Sequence, residues 1–168
     1  KPIRRCLKNR GYTASQCVRI LHASIANHRS EEAPRMEIEH LNPDVVYEPP
    51  WKFTQAVKVR NAGTLLFLSG IVAFDQDGNI ARGDIVRQAE VVYDNIRKIV
   101  ESAGGTVDSI VKMNTYIGED WRVHKDEIRD ARLSVFPDDP PASTLLQVAG
   151  FADPDYMIEI EAIAVLDE

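Results

Sequence analysis

The sequence predicts an α+β domain, a mixed β-sheet with two helices on one face. Three observations carry that expectation. Residues 84–103 place Ile85, Ala89, Val92, Ile96, Ile99, Val100 and Ala103 along one side of a helix with 3.6 residues per turn. MIEIEAIAVL (157–166) instead alternates with period two, sending Ile158, Ile160, Ala162 and Ala164 to one side and Met157, Glu159, Glu161 and Ile163 to the other. Strand-like and helix-like segments follow one another in the order ββαβαββ, which suits one mixed sheet covered by helices.

FTQAVKV (53–59) alternates polar and apolar residues, NAG turns the chain, and TLLFLSGIV (64–72) follows as a more continuously apolar strand, so the two read as a hairpin. DQDG (75–78) is a turn signal. Asp84 suits the start of the long helix, because its carboxylate can accept from the free N–H groups there, and Gly104-Gly105 suits its end. SIVKMNTYIG (109–118) reads as a strand. Residues 124–136 read as a shorter helix with Ile128, Ala131 and Val135 on one side, ended by Pro137, Pro140 and Pro141. TLLQVA (144–149) and the final strand complete the sheet. The apolar side of that last strand belongs beneath the helices, which leaves its carboxylates facing water or another subunit.

At 168 residues and 44% hydrophobic composition, the chain can bury one sizeable core. The net charge of -6 hides a split: residues 1–35 hold eight Lys and Arg against two Glu, and residues 36–168 hold twelve against twenty-four Asp and Glu. An acidic body repels phosphodiester backbones, so no nucleic-acid partner is expected. Cys6 and Cys17 both lie in the basic head, which leaves the rest without thiol, disulfide or cysteine metal site and fits a cytoplasmic protein. The longest apolar run, LLFLSGIVAF, is interrupted by Ser69 and Gly70 and is far short of the roughly 20 residues that span a bilayer, so no membrane partner is expected either.

Residues 1–35 are expected to be a disordered basic extension, upstream or vector-derived, with Met36 the natural start of a single domain over 36–168. The other reading of this head is a native arm for nucleic acid or a partner. Its clustered Lys and Arg would attract phosphates, but Tyr12 alone provides no stacking platform.

A nucleophilic triad has little to draw on, since the body has no Cys and only His40 and His124. His124 reads as a surface residue at a helix start, with no partner ligand at zinc spacing, and neither GDIVR nor AGG has the spacing of a nucleotide loop. No zinc site and no nucleotide loop are therefore expected.

FTQAVKV, LLFLSGIVAFDQDGNI, GDIVRQAEVVYDNIRKIVESAGGTVDSIVKMNTYI, PPAS and IEIEAIAVL, in that order, resemble the Rid family, the reactive intermediate deaminases or YjgF-like proteins, also labelled L-PSP endoribonucleases. The resemblance covers residues 42–166 and rests on the SG after the second strand, the QxxxxxxNI spacing, AGG and IEIEAIA. It implies a chorismate-mutase-like fold, a mixed six-stranded sheet with two helices on one face. It also implies a homotrimer with three clefts between neighbouring subunits, and hydrolysis of small imines and enamines such as 2-aminoacrylate without a cofactor. An imine carbon is already electrophilic, so a held substrate and one activated water suffice.

By the same resemblance the water-activating carboxylate falls on Glu159. Family deaminases read PARS where this chain reads PAST, so Ser143 stands in the place of an Arg that forks onto the substrate carboxylate. A Ser gives no charge there, and loss of such a partner costs several kcal/mol, which makes 2-aminoacrylate a poor substrate. Ser143 and Thr144 are candidates for orienting a ligand, Ser69 for contacting it, and Phe53, where Tyr is common, for walling the cleft. Arg129, where many members have Asn, could supply a displaced positive charge. The plain alternatives are that Glu159 and Glu161 are solvated strand residues and that Ser69, Ser143 and Thr144 serve the backbone. Two functions follow: a Rid-like imine or enamine deaminase of a non-standard subgroup, or a non-catalytic trimeric metabolite-binding or regulatory protein.

Overall fold

Two periodicities meet across one apolar layer, that of a helix above and that of a strand below. The structure, a computed structural model, describes residues 34–46 and 54–167. Residues 1–33 of the expected extension over 1–35, and the candidate Phe53, lie outside the described residues. Along the chain run β1 (Glu37–Leu41), β2 (Ala56–Arg60), β3 (Thr64–Ile71), α1 (Ile85–Ser102), β4 (Ile110–Ile117), α2 (Lys125–Val135), β5 (Ala142–Gln147) and β6 (Ile158–Leu166). Short 3-10 turns at Val107–Ser109 and Glu119–Arg122 flank β4.

Four strands form a sheet in the order β3-β6-β4-β5, in which β6 is antiparallel to both neighbours and β5 is parallel to β4. The α+β class with a mixed sheet and two helices therefore stands. The expected hairpin does not: β2 pairs with β1, and β3 pairs with β6. Cross-strand charge explains the first pairing. Glu37 lies opposite Arg60 and Glu39 opposite Lys58, with ion pairs at 3.1 and 3.2 Å, and opposite charges facing across strands are favourable. The second follows from burial, because Leu66 and Leu68 of β3 come alongside Ala164 and Ala162 of β6 over the core. A single parallel bridge, Thr54 to Ala142, links the β1–β2 pair to the edge strand β5.

α1 forms where the sequence places it. Asp84 accepts from the Arg87 backbone N–H at 2.9 Å, and Gly104 takes the positive φ of 87° that ends the helix. Its face of Ile85, Ala89, Val92, Tyr93, Ile96 and Val100 is buried against Ile158, Ile160, Ala162 and Ala164 of β6 and Met113 and Ile117 of β4. α2 adds Ile128 to the same core, with Ala131 and Val135 partly buried beside it. Phe136 meets the Tyr93 ring edge-on at 6.4 Å.

Among the described residues, Gln88 and Thr115 are polar side chains buried in this layer. Gln88 is fully buried and uses all its capacity on backbone: Nε2 donates to Ala81 O at 2.9 Å and Asp155 O at 2.8 Å, and Oε1 accepts from Met157 N at 2.9 Å. It thereby ties the loop before α1 to the loop that feeds β6. Gln88→Leu leaves Asp155 O and Met157 N without that partner, at about 1–3 kcal/mol for each that stays buried, while Ala81 O keeps its bond from the Asp84 N–H. It is expected to lower the unfolding free energy from urea titration by about 3 kcal/mol or more. Arg87→Ala, which loses only the exposed ion pair with Glu90, should change it by less than about 0.5 kcal/mol.

Candidate functional site

On the sheet face away from the helices, β6 presents Glu159, Glu161 and Ile163, and β4 presents Lys112, Asn114 and Tyr116. Antiparallel register sets Glu159 opposite Tyr116 and Glu161 opposite Asn114. Glu161 Oε1 accepts two hydrogen bonds, from Asn114 Nδ2 at 2.7 Å and from the Tyr116 hydroxyl at 2.9 Å. These bonds, Asn114 first, hold the Glu161 carboxyl below its ordinary value. The same contact pushes the Tyr116 hydroxyl up, first through its bond to Glu161, then through burial and the charges of Glu161 and Glu159.

Glu159 is placed by a missing side chain. The β3–β6 ladder breaks step between Leu68 and Ile71, across Ser69 and Gly70, and the Glu159 carboxylate lies over Gly70. A Cβ at Gly70 would sit 1.8 Å from Glu159 Oε1, so only glycine leaves room for the carboxylate. Glu159 is half-buried and makes no hydrogen bond among the described residues. It is thus a carboxylate with open acceptor positions, on the strand position opposite a phenol that is already engaged.

The remaining candidates are distributed unevenly. Ser69 is exposed, in the same bulge as Gly70. In the parallel β4–β5 register Ser143 lies beside Met113, which is fully buried, and Thr144 beside Asn114. Successive strand residues point to opposite faces, so Thr144 shares the face of Glu159 and Ser143 occupies the helix-facing position. The Lys112 ammonium confirms the placement of Thr144, donating to its Oγ1 at 2.8 Å. Arg129 lies on α2, on the helix side of the sheet, where Asp126 at 2.8 Å and Asp130 at 3.0 Å engage its guanidinium. It is not brought to the carboxylates.

Tyr116, Asn114, Gly70 and Lys112 were not singled out by sequence. The alternation of MNTY could have flagged the first two, but their partner became visible only with the β4–β6 register. Exposed apolar side chains flank the polar cluster at both edges of the sheet: Leu65 and Phe67 of β3 are 52% and 68% exposed, and Leu146 of β5 is 53% exposed. A depression of about 350 Å³, lined by Gly118, Gln147, Phe151, Tyr156 and Met157 among others, lies beyond the ends of β4 and β5 and does not include Glu159.

The profile of the endoribonuclease L-PSP family matches residues 46–166. The chain belongs to the Rid, or L-PSP, family. A RutC family protein of Pyrococcus horikoshii is 32% identical over 118 residues, 70% of this chain and 89% of that one. Among solved structures, a conserved Rid family protein of Yersinia pestis is similar with a TM-score of 0.70 and 28% identity, covering 77% of this chain and 98% of that one. RidA from an Antarctic Psychrobacter is similar with a TM-score of 0.56 and 26% identity over 76% of this chain and 99% of that one. These Rid likenesses support the mixed sheet with two helices. Among the described residues no helix is long and apolar enough to cross a membrane.

Two measurements test the site's construction. In a crystal structure of Gly70→Ala, the Glu159 carboxylate is expected to be displaced from its place over residue 70 with β6 otherwise unmoved. Glu161 gives a pH signature: its carboxyl titrates below the unfolded value of 4.5, so its stabilisation is complete above that pH and fades as pH falls through the lower native value. The melting temperature of Glu161→Gln should therefore fall short of wild type at pH 7, with the gap closing as pH drops below about 4.

Proposed function

We propose that this Rid protein is a cofactor-independent hydrolase of small imines or enamines, working as a homotrimer with Glu159 as general base. The observation that carries the reading is the state of Glu159: half-buried, lodged over Gly70 and without a hydrogen bond among the described residues. Glu161 on the same face is bound into the sheet by Asn114 and Tyr116, whereas Glu159 keeps open acceptor positions. Imine hydrolysis asks for one acceptor near the carbon to take a proton from water, and a positioned carboxylate supplies that at a gain of about 10²–10⁴ in rate.

The exposed Leu65 and Phe67 on β3 and Leu146 on β5, at opposite edges of the face that carries the carboxylates, support the trimer, since exposed apolar groups rimmed by polar ones favour contact with another copy. A cleft between copies would then close over Glu159, which on one chain lies on an open sheet face. Ser143 contributes no positive charge and lies at a helix-facing register position, so the substrate is one that does not depend on a forked carboxylate contact there. The same observation favours the second reading, a trimer that binds a metabolite without turning it over.

The test generates a panel of imines in situ with an amino-acid oxidase and follows their loss. Wild type should accelerate loss of at least one imine, and Glu159→Gln should reduce that acceleration by about 10²–10⁴-fold. If no imine responds and a metabolite raises the melting temperature without product, the binding reading replaces the hydrolase. Light scattering should give three times the chain mass, and Phe67→Glu should shift it downward.

A further inference from the structure

We propose that Tyr116 is a second member of the Glu159 site and receives the substrate's nitrogen, so that the site takes a cationic N–H group, such as a protonated imine, in preference to a carboxylate. The inference rests on the reading of Glu159 as the heart of the site. Its own support is the direction of one hydrogen bond. A phenol has a single proton to give, and that of Tyr116 goes to Glu161 Oε1 at 2.9 Å. Asn114 binds the same oxygen at 2.7 Å, which fixes the carboxylate that takes the proton. What the Tyr116 oxygen has left to offer a ligand is acceptance.

Register adds the second half. Tyr116 stands directly opposite Glu159 in the β4–β6 register, so this stretch of the face offers a nitrogen two acceptors, a carboxylate and a phenol oxygen polarised by Glu161. On this face Lys112 is the nearest cation along β4, four residues before Tyr116 or about 13 Å away along the strand, and it is engaged with Thr144. A carboxylate approaching Glu159 would meet the negative charges of Glu159 and Glu161, with no cation of β4 or β6 directly beside them among the described residues. A protonated imine meets complementary charge and can donate an N–H to each side.

The chemistry balances on these groups. Water gives a proton to Glu159 as its oxygen bonds to the imine carbon, and the C=N pair moves onto nitrogen and cancels its charge. Return of that proton to nitrogen lets the C–N bond break with the electron pair on nitrogen. The hydroxyl's proton then leaves with the ammonia as ammonium, and a carbonyl remains. Throughout, Tyr116 holds the nitrogen and keeps its own proton on Glu161, which makes it a positioning partner.

The test is a binding measurement on the full chain with two stable probes, acetamidine as a planar C=NH₂⁺ group and pyruvate as a carboxylate, by calorimetric titration. Acetamidine should bind wild type more tightly than pyruvate. Tyr116→Phe, which keeps the ring, and Glu159→Gln should each weaken acetamidine about tenfold or more while leaving the circular dichroism spectrum unchanged. Absence of acetamidine binding to wild type, equal or tighter binding of pyruvate, or an unaffected Tyr116→Phe variant would each overturn the proposal. Amidine binding of the expected pattern without turnover of any imine would sink the hydrolase reading and leave this one standing.

Discussion

The structure depends on the two-residue alternation of β6, held by hydrogen bonds along both edges of the strand. With β3 on one side and β4 on the other, β6 cannot rotate, and a slip of one residue would exchange its two faces. Ile158, Ile160, Ala162 and Ala164 would then leave the core, and Glu159 and Glu161 would enter it among α1 side chains. Burying two carboxylates without partners is so costly that the register of one strand secures both the core and the position of the polar cluster. Gln88 reinforces this from inside the core by fixing the backbone at Asp155 and Met157, just ahead of the strand.

The polar face that results carries two carboxylates in different states. Glu161 is satisfied by Asn114 and Tyr116, whereas Glu159 has its position defined sterically, by the space over Gly70. Two neighbouring carboxylates thus differ in kind: one is bound into the sheet, and the other is held in place with its hydrogen-bonding capacity intact. Chemistry that begins with proton removal needs the second kind, and the first gives it a rigid and electrostatically defined neighbour.

What could be read from sequence was local. The α1 face, the Asp84 cap and the two faces of β6 all follow from periodicities of a few residues, and the structure reproduces them. Pairing was less legible because it joins distant segments. EIEHL is short and charged, and its strand character appears only when Glu37 and Glu39 are set against Arg60 and Lys58; without that partner, β2 looked like half of a hairpin with β3. Gly70 was visible as part of an SG motif, but its purpose is a contact with a residue 89 positions further along the chain. Ser143 and Thr144 hold a simpler lesson, since adjacent residues of one strand cannot both face the same ligand. Arg129 looked available as a charge and is taken up by two aspartates on its own helix.

The Gln88 clamp also bears on how this scaffold could diversify. Because Asp155 and Met157 are fastened to α1, the connecting segment from Val148 to Pro154 ends at a fixed point before the strand that carries Glu159. Residues can be added to or removed from that segment, changing the shape of the depression it lines, without moving the carboxylate. The shape of that segment and the position of Glu159 are mechanically independent, so one could change under selection or in an engineered library while the other is kept.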